Sequence, residues 1–194
     1  SRSYPECKII SNKNSKNYIY STGTNGILYH SLYFPCKELS EIELNHSSFY
    51  ADLITNLGHK SKSYEEIQQY QSSKTGGISA SFSLIPTDDD KNYQIALKIS
   101  GKCLEENSKE MQRLLIDTIE NVKFNESKRI EELIEFSAAS NEKSIVSNGH
   151  ILAMSNASSQ INNLGSFMDS VGGINFIRKN KILIEQIKND ELNK

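Results

Sequence analysis

The chain has 194 residues, 37% apolar and 24% charged, with 24 acidic against 22 basic side chains for a formal net charge of −2. A chain of this length buries a sizeable core without help from disulfides or metals, and a single domain over 1–194 is the expected organisation. The balanced charge, with no stripe of interleaved basic and aromatic residues, excludes nucleic acid and an anionic membrane surface as partners. No apolar run approaches the roughly 18–20 residues that cross a bilayer.

The first third of the chain reads as strands. Cys7-Lys8-Ile9-Ile10 and Tyr18-Ile19-Tyr20 flank a polar turn. Asn25-Gly26 then gives a hairpin signal, because both residue types tolerate positive φ. Ile27–Phe34 follows, aromatic and bounded by Pro35. Two helices come next. Leu39–Leu57 has Gly58 placed to terminate it, and Tyr64–Lys74 opens on a capping box of Ser63 and Glu66. Ile78, Ala80, Phe82 and Leu84 alternate with serines, and Tyr93, Ile95, Leu97 and Ile99 alternate again after the acidic turn Pro86–Asn92. Those two runs predict strands with one buried face each, joined as a hairpin.

The remainder reads as helical. Asn107 and Glu110 form an expected capping box for Ser108–Val122, and Asn125 is placed to cap a helix running toward Ile145. The small-residue stretch Ser155–Ser159, a helix over Ile161–Val171, the break Gly172-Gly173 and a basic helix over Ile174–Lys188 complete the chain, with Asp190–Lys194 as a tail. Hairpins and helix pairs without strict alternation predict an α+β fold, with helices packed on one face of a largely antiparallel sheet.

The search for chemistry starts with zinc. His30, His46, His59 and His150 show neither HxxEH nor HExxH spacing, so no helix face can carry two imidazoles and a base. His59 follows a helix C-terminus, where a cation suits the dipole. Cys7, Cys36 and Cys103 are odd in number and lack CxxC spacing, which reads as reduced thiols in the cytoplasm or an organelle matrix. Cys103 follows Lys102 in what reads as a strand-to-helix loop, where a neighbouring ammonium can lower a thiol's pKa. Thr75-Gly76-Gly77 and Ser100-Gly101-Lys102 fit neither GxxxxGK[ST] nor GxGxxG. Glu131-Glu132, Asp88-Asp89-Asp90 and Arg178-Lys179-Asn180-Lys181 read as solvated charge. The residues by themselves supply no self-contained active site.

Four segments carry a resemblance: Thr24-Asn25-Gly26-Ile27-Leu28-Tyr29, Lys74-Thr75-Gly76-Gly77-Ile78-Ser79, Lys98-Ile99-Ser100-Gly101-Lys102-Cys103-Leu104 and Ser147-Asn148-Gly149-His150-Ile151-Leu152-Ala153. In this order they resemble the presequence-protease (falcilysin-like) subfamily of the pitrilysin/insulinase zinc metallopeptidase superfamily, in the third of its four homologous domains. Cys103 stands where that pattern has Ala, and Asn148 is a further departure. The resemblance covers about 17–171, with Thr75, Gly76, Gly77, Ser100, Gly101, Lys102, Gly149 and His150 as the matching motif positions.

The resemblance implies a chamber-forming, non-catalytic piece of a larger zinc endopeptidase that degrades unfolded peptides. Its partners would be the catalytic half and the fourth domain of the same polypeptide, and peptide substrates. The zinc would belong to the parent enzyme, and no catalytic residue or metal ligand is carried over to this chain. His150 would be either a packing or capping residue at a helix break or a peptide-facing side chain. The alternative is a stand-alone binding or scaffold domain, or an inactive half-size homologue that pairs with a catalytic subunit.

Overall fold

The computed structural model describes residues 5–87 and 92–188. Three strands, β1 (Cys7–Ser11), β2 (Lys16–Tyr20) and β3 (Ile27–Pro35), precede helices α1 (Glu41–Asn56) and α2 (Tyr64–Lys74). Strands β4 (Ile78–Pro86) and β5 (Tyr93–Leu104) follow, then α3 (Ser108–Glu120), α4 (Ser127–Ser159), α5 (Asn163–Gly172) and α6 (Ile174–Lys188). The fold is α+β. The acidic triplet Asp88–Asp90 and the tail Asp190–Lys194 lie outside the described residues.

The predicted β4–β5 hairpin forms, with antiparallel register from Ile78↔Gly101 to Pro86↔Tyr93. β5 is the centre of a three-stranded sheet ordered β3-β5-β4. Successive side chains on a strand point to opposite faces, so Leu97, Ile99 and Cys103 share one face with Leu32 of β3 and Ala80 and Phe82 of β4. That face is buried against Ile54 of α1 and Met111 and Leu115 of α3. Ile54, Ile99, Met111 and Leu115 are wholly inaccessible. The opposite face carries Tyr29, Tyr33, Ser79, Ser81, Lys98, Ser100 and Lys102.

The turn at Asn25-Gly26 has the expected backbone, with φ of 52° and 80°. The strands on either side of it do not pair with each other. β2 pairs with β1, and β3 pairs with β5. Local turn chemistry sets the chain reversal, but the apolar face of β3 finds its partner more than sixty residues on. β1 and β2 form a separate ribbon with Ile9, Ile10, Tyr18, Ile19 and Tyr20 all exposed.

Helix boundaries correct several expectations. α1 opens at Ser40, where Ser40 Oγ accepts from Glu43 N–H and the Glu43 carboxylate accepts from Ser40 N–H at 2.8 Å. The box at Ser63 and Glu66 forms as predicted. Asn107 caps nothing, because a 3-10 turn over Glu105–Asn107 leads into α3 and holds Asn107 at φ −97°, ψ 13°, away from the extended backbone a cap needs. The residue before α4 is Glu126, not Asn125, and its carboxylate reaches across to Gly58 N–H at 2.6 Å. Gly58 therefore ends α1 by close approach and not by a left-handed turn. A Cβ there would sit 2.4 Å from the Lys62 carbonyl oxygen.

The helix expected to run toward Ile145 continues instead to Ser159, with a bend at Asn148 (φ −121°, ψ 21°) and Ser155–Ser159 as its last turn. Those small residues let α5 fold back. Gly165, with its N–H donating to the capping side chain of Asn162, packs directly on the Ser158 carbonyl. The buried carboxylate of Asp169 then ties three helices together. It accepts from Ile174 N–H at 2.9 Å, Asn175 Nδ2 at 2.5 Å and Asn156 Nδ2 at 3.4 Å.

Two substitutions test these close approaches by urea denaturation. Gly58→Ala should lower stability by about 1–3 kcal/mol, the range for forcing atoms into filled space. Gly149→Ala, where an added Cβ meets nothing within 4 Å, should leave it unchanged or raise it by up to about 1 kcal/mol.

Candidate functional site

The two glycine motifs that stand apart in sequence meet in the fold. Thr75 ends α2, its N–H donating to Gln71 O at 2.7 Å. Gly76 N–H donates to Lys102 O at 2.7 Å, and Gly77 N–H to Thr75 Oγ1 at 3.1 Å. Gly77 sits at φ +110°, which an L side chain rarely adopts. Gly101 lies opposite Ile78 on one side and His30 on the other. A Cβ at Gly101 would come 3.2 Å from the Met111 sulfur. The motif is thus a joint that seats the entry of β4 on the centre of β5. Because the amides of Gly76 and Gly77 are committed inside the joint, they do not present the free N–H cradle that binds phosphate.

The joint also settles Cys103. β5 continues through Leu104, so Lys102 and Cys103 point to opposite faces and the expected loop does not exist. Cys103 is buried, and burial, with a smaller contribution from Glu110, pushes its thiol pKa up. The lowered thiol pKa that a neighbouring Lys102 could give is not what the structure favours, because Lys102 lies on the opposite face and burial acts on Cys103 in the other direction.

The histidines are dispersed. His30 is half-buried on the core face of β3, and burial pushes its pKa down. His46 lies on α1. His150 is exposed on α4, two residues beyond the bend, while Leu152, two residues further on, packs on Phe176 and Ile177. α4 packs on α1, α5 and α6, so the fourth motif belongs to the helical layer and the glycine joint to the sheet.

His59 differs from its expected role. It is 2% exposed, and neither ring nitrogen has a hydrogen-bond partner. Burial pushes its pKa down, with the Ile54 backbone, Asp117 and Glu126 opposing more weakly and Lys60 reinforcing. A neutral imidazole cannot compensate a helix dipole. It instead fills the junction where the loop after α1 meets the end of α3, bridged through His59↔Val122. Among the described residues no three His, Cys, Asp or Glu side chains converge to hold a metal, so these residues do not fit a zinc site.

The sheet's open face is the extended polar surface. Ser79 Oγ and Ser100 Oγ pair with each other at 3.2 Å, with no base between them. Lys98 Nζ lies 5.7 Å from the Tyr33 ring centroid. Such a face can hydrogen-bond a polypeptide through hydroxyls and ammonium groups. Among the described residues, no helix is long and apolar enough to cross a membrane.

Known proteins share this sequence pattern. The family described as Peptidase M-16C associated matches residues 4–183. The chain is 29% identical over 175 residues to a mitochondrial presequence protease of Drosophila melanogaster, covering 90% of this chain and 17% of that protein. It is 27% identical over 163 residues to the mitochondrial presequence protease of Danio rerio, covering 84% and 16%. It is 22% identical over 168 residues to presequence protease 1, chloroplastic/mitochondrial, of Arabidopsis thaliana, covering 86% and 16%. The chain therefore spans about a sixth of the length of the curated relatives it matches.

Two measurements check the site chemistry. Native alkylation should modify the exposed Cys7 first and Cys103 only after unfolding, read by mass spectrometry. The second is stability against pH. Unfolded His59 takes up a proton near its ordinary pKa of 6.5, whereas the buried ring resists until lower pH. Between those values the unfolded state binds more protons, so stability falls as pH falls below about 6.5. The thermal midpoint should drop on acidification, and His59→Gln should shrink that drop, with His30 accounting for part of the remainder.

Proposed function

Because the chain belongs to the Peptidase M-16C associated family, we propose that it is a non-catalytic, chamber-forming domain of a larger zinc metalloendopeptidase that degrades unfolded peptides. The family match carries this reading, since it runs through nearly the whole of a chain whose described donors do not converge on a metal. Zinc and the groups that activate water would come from elsewhere in the parent polypeptide. The relatives' names support an organelle matrix as the compartment.

The layering of the fold supports a wall. Helices α1 and α3 cover one face of the β3-β5-β4 sheet, which leaves Tyr29, Tyr33, Ser79, Ser81, Lys98 and Ser100 on the other. A surface of hydroxyls with few charges can hydrogen-bond many peptide sequences without selecting one. In this reading the open face looks into the chamber, and the exposed His150 offers a second contact for peptide.

Two experiments test the proposal. Metal analysis of the 194-residue chain should find no stoichiometric zinc, and the chain should leave an unfolded presequence peptide intact. One tightly held zinc per chain would sink the idea. In the full-length parent, Ser81→Trp should raise KM for such a peptide by about three- to tenfold, a contact's worth of roughly 1 kcal/mol, with zinc content and kcat little changed. An unchanged KM would remove the open face from the chamber.

A further inference from the structure

β3 is an edge strand. It pairs with β5 on one side only, in a register that runs unbroken from Ile27↔Leu104 to Pro35↔Ala96. In an antiparallel pair, residues that exchange hydrogen bonds across the ladder alternate with residues whose N–H and C=O point away. The two ends of the pairing fix which are which. Cys36 N–H donates to Ile95 O at 2.8 Å, and Gly26 O accepts from Glu105 N–H at 3.1 Å. The even-numbered residues of β3 therefore bond to β5, while Tyr29, Ser31 and Tyr33 aim their N–H and C=O groups outward. Among the described residues no backbone group pairs with them.

The strand carries none of the devices that keep an edge from pairing. β3 contains no Lys, Arg, Asp or Glu, its only proline is the terminal Pro35, and the unbroken register excludes a bulge. The apolar layer of the sheet also runs on past it. On the core side Cys103 and Leu97 of β5 are 4% and 7% exposed, whereas their β3 partners Leu28 and Phe34 are 36% and 40% exposed. Unpaired main-chain groups beside half-covered apolar side chains describe the missing neighbour. It is an extended segment, whose backbone satisfies the outward N–H and C=O groups and whose alternate side chains lie beside Leu28 and Phe34.

We infer that the outer edge of β3 receives a fourth strand from another part of the parent polypeptide, one with apolar residues at every second position that extend the core past Leu28 and Phe34. The inference rests on the reading of this chain as one domain of a larger peptidase. The parent has the chain to supply such a strand, since this sequence covers only 17% and 16% of two of its relatives. A peptide substrate fits the edge less well, because each release would bare Leu28 and Phe34 again.

Amide hydrogen exchange resolved to single residues tests this on the 194-residue chain and on the full-length parent. In both, the amides of His30, Leu32 and Phe34 should exchange slowly, which reports that β3 is seated on β5. Those of Tyr29, Ser31 and Tyr33 should exchange fast in the 194-residue chain and at least about tenfold more slowly in the parent, because an amide bonded to a neighbouring strand exchanges only when that pairing opens. Fast exchange of these three amides in the parent would overturn the inference. So would protection that grows with concentration in the 194-residue chain, which would put a second copy on the edge. Protection that appears in the parent only with added peptide would also overturn it, by putting substrate there. Zinc content and peptide turnover are measured on the same parent preparation. Their absence with the three amides protected would refute the peptidase reading alone, and normal turnover with the amides unprotected would refute the added strand alone.

Discussion

The packing of α3 onto the central strand is the constraint on which the rest of the structure depends. β3 and β4 each pair with β5 and not with each other, so the sheet exists only where β5 is held. Met111 and Leu115 hold it, wholly buried against Leu97, Ile99 and Cys103. Met111 can lie that close only because residue 101 is glycine. Removing large aliphatic side chains from such a centre costs about 2–5 kcal/mol each, a large part of a typical domain's net stability.

That constraint shapes the functional surface as well. Once α1 and α3 occupy one face of the sheet, the other is left to hydroxyls and two lysines, with Tyr29 and Tyr33 standing exposed. The glycine motifs are consumed in seating β4 on β5, and the buried His59, its pKa pushed down by burial, sits where packing needs a shape and not a charge. The glycine motifs and Cys103, scattered in the sequence, are thus built into the packing of the sheet.

The helical layer is held by different means. Asp169 satisfies the start of α6 at Ile174 and two asparagine side chains from inside the protein, and Glu126 does the same for the turn at Gly58. Each is a carboxylate whose partners lie on other elements. Asp169 sits in the middle of an ordinary amphipathic run, and nothing in its neighbours marks it as buried.

The residues by themselves determined which face of β4 and β5 would be buried, where α2 begins, that Asn25 and Gly26 would turn the chain, and that no pair of histidines has metal-binding spacing. These are local properties, set by a period of two, a side chain reaching three residues along, or a backbone angle. The length of β5 was hidden because Gly101 occupies an inward position and blanks the alternation. Tertiary structure decided that β3 would pair with β5 and not β2, that Thr75-Gly76-Gly77 and Ser100-Gly101-Lys102 would be one joint, and that Cys103 and His59 would be buried and uncharged. It also left Asn45 Oδ1 buried without a hydrogen-bond partner. Those outcomes turn on which distant surface wins a given apolar face, a competition between burial free energies that no short window of sequence contains.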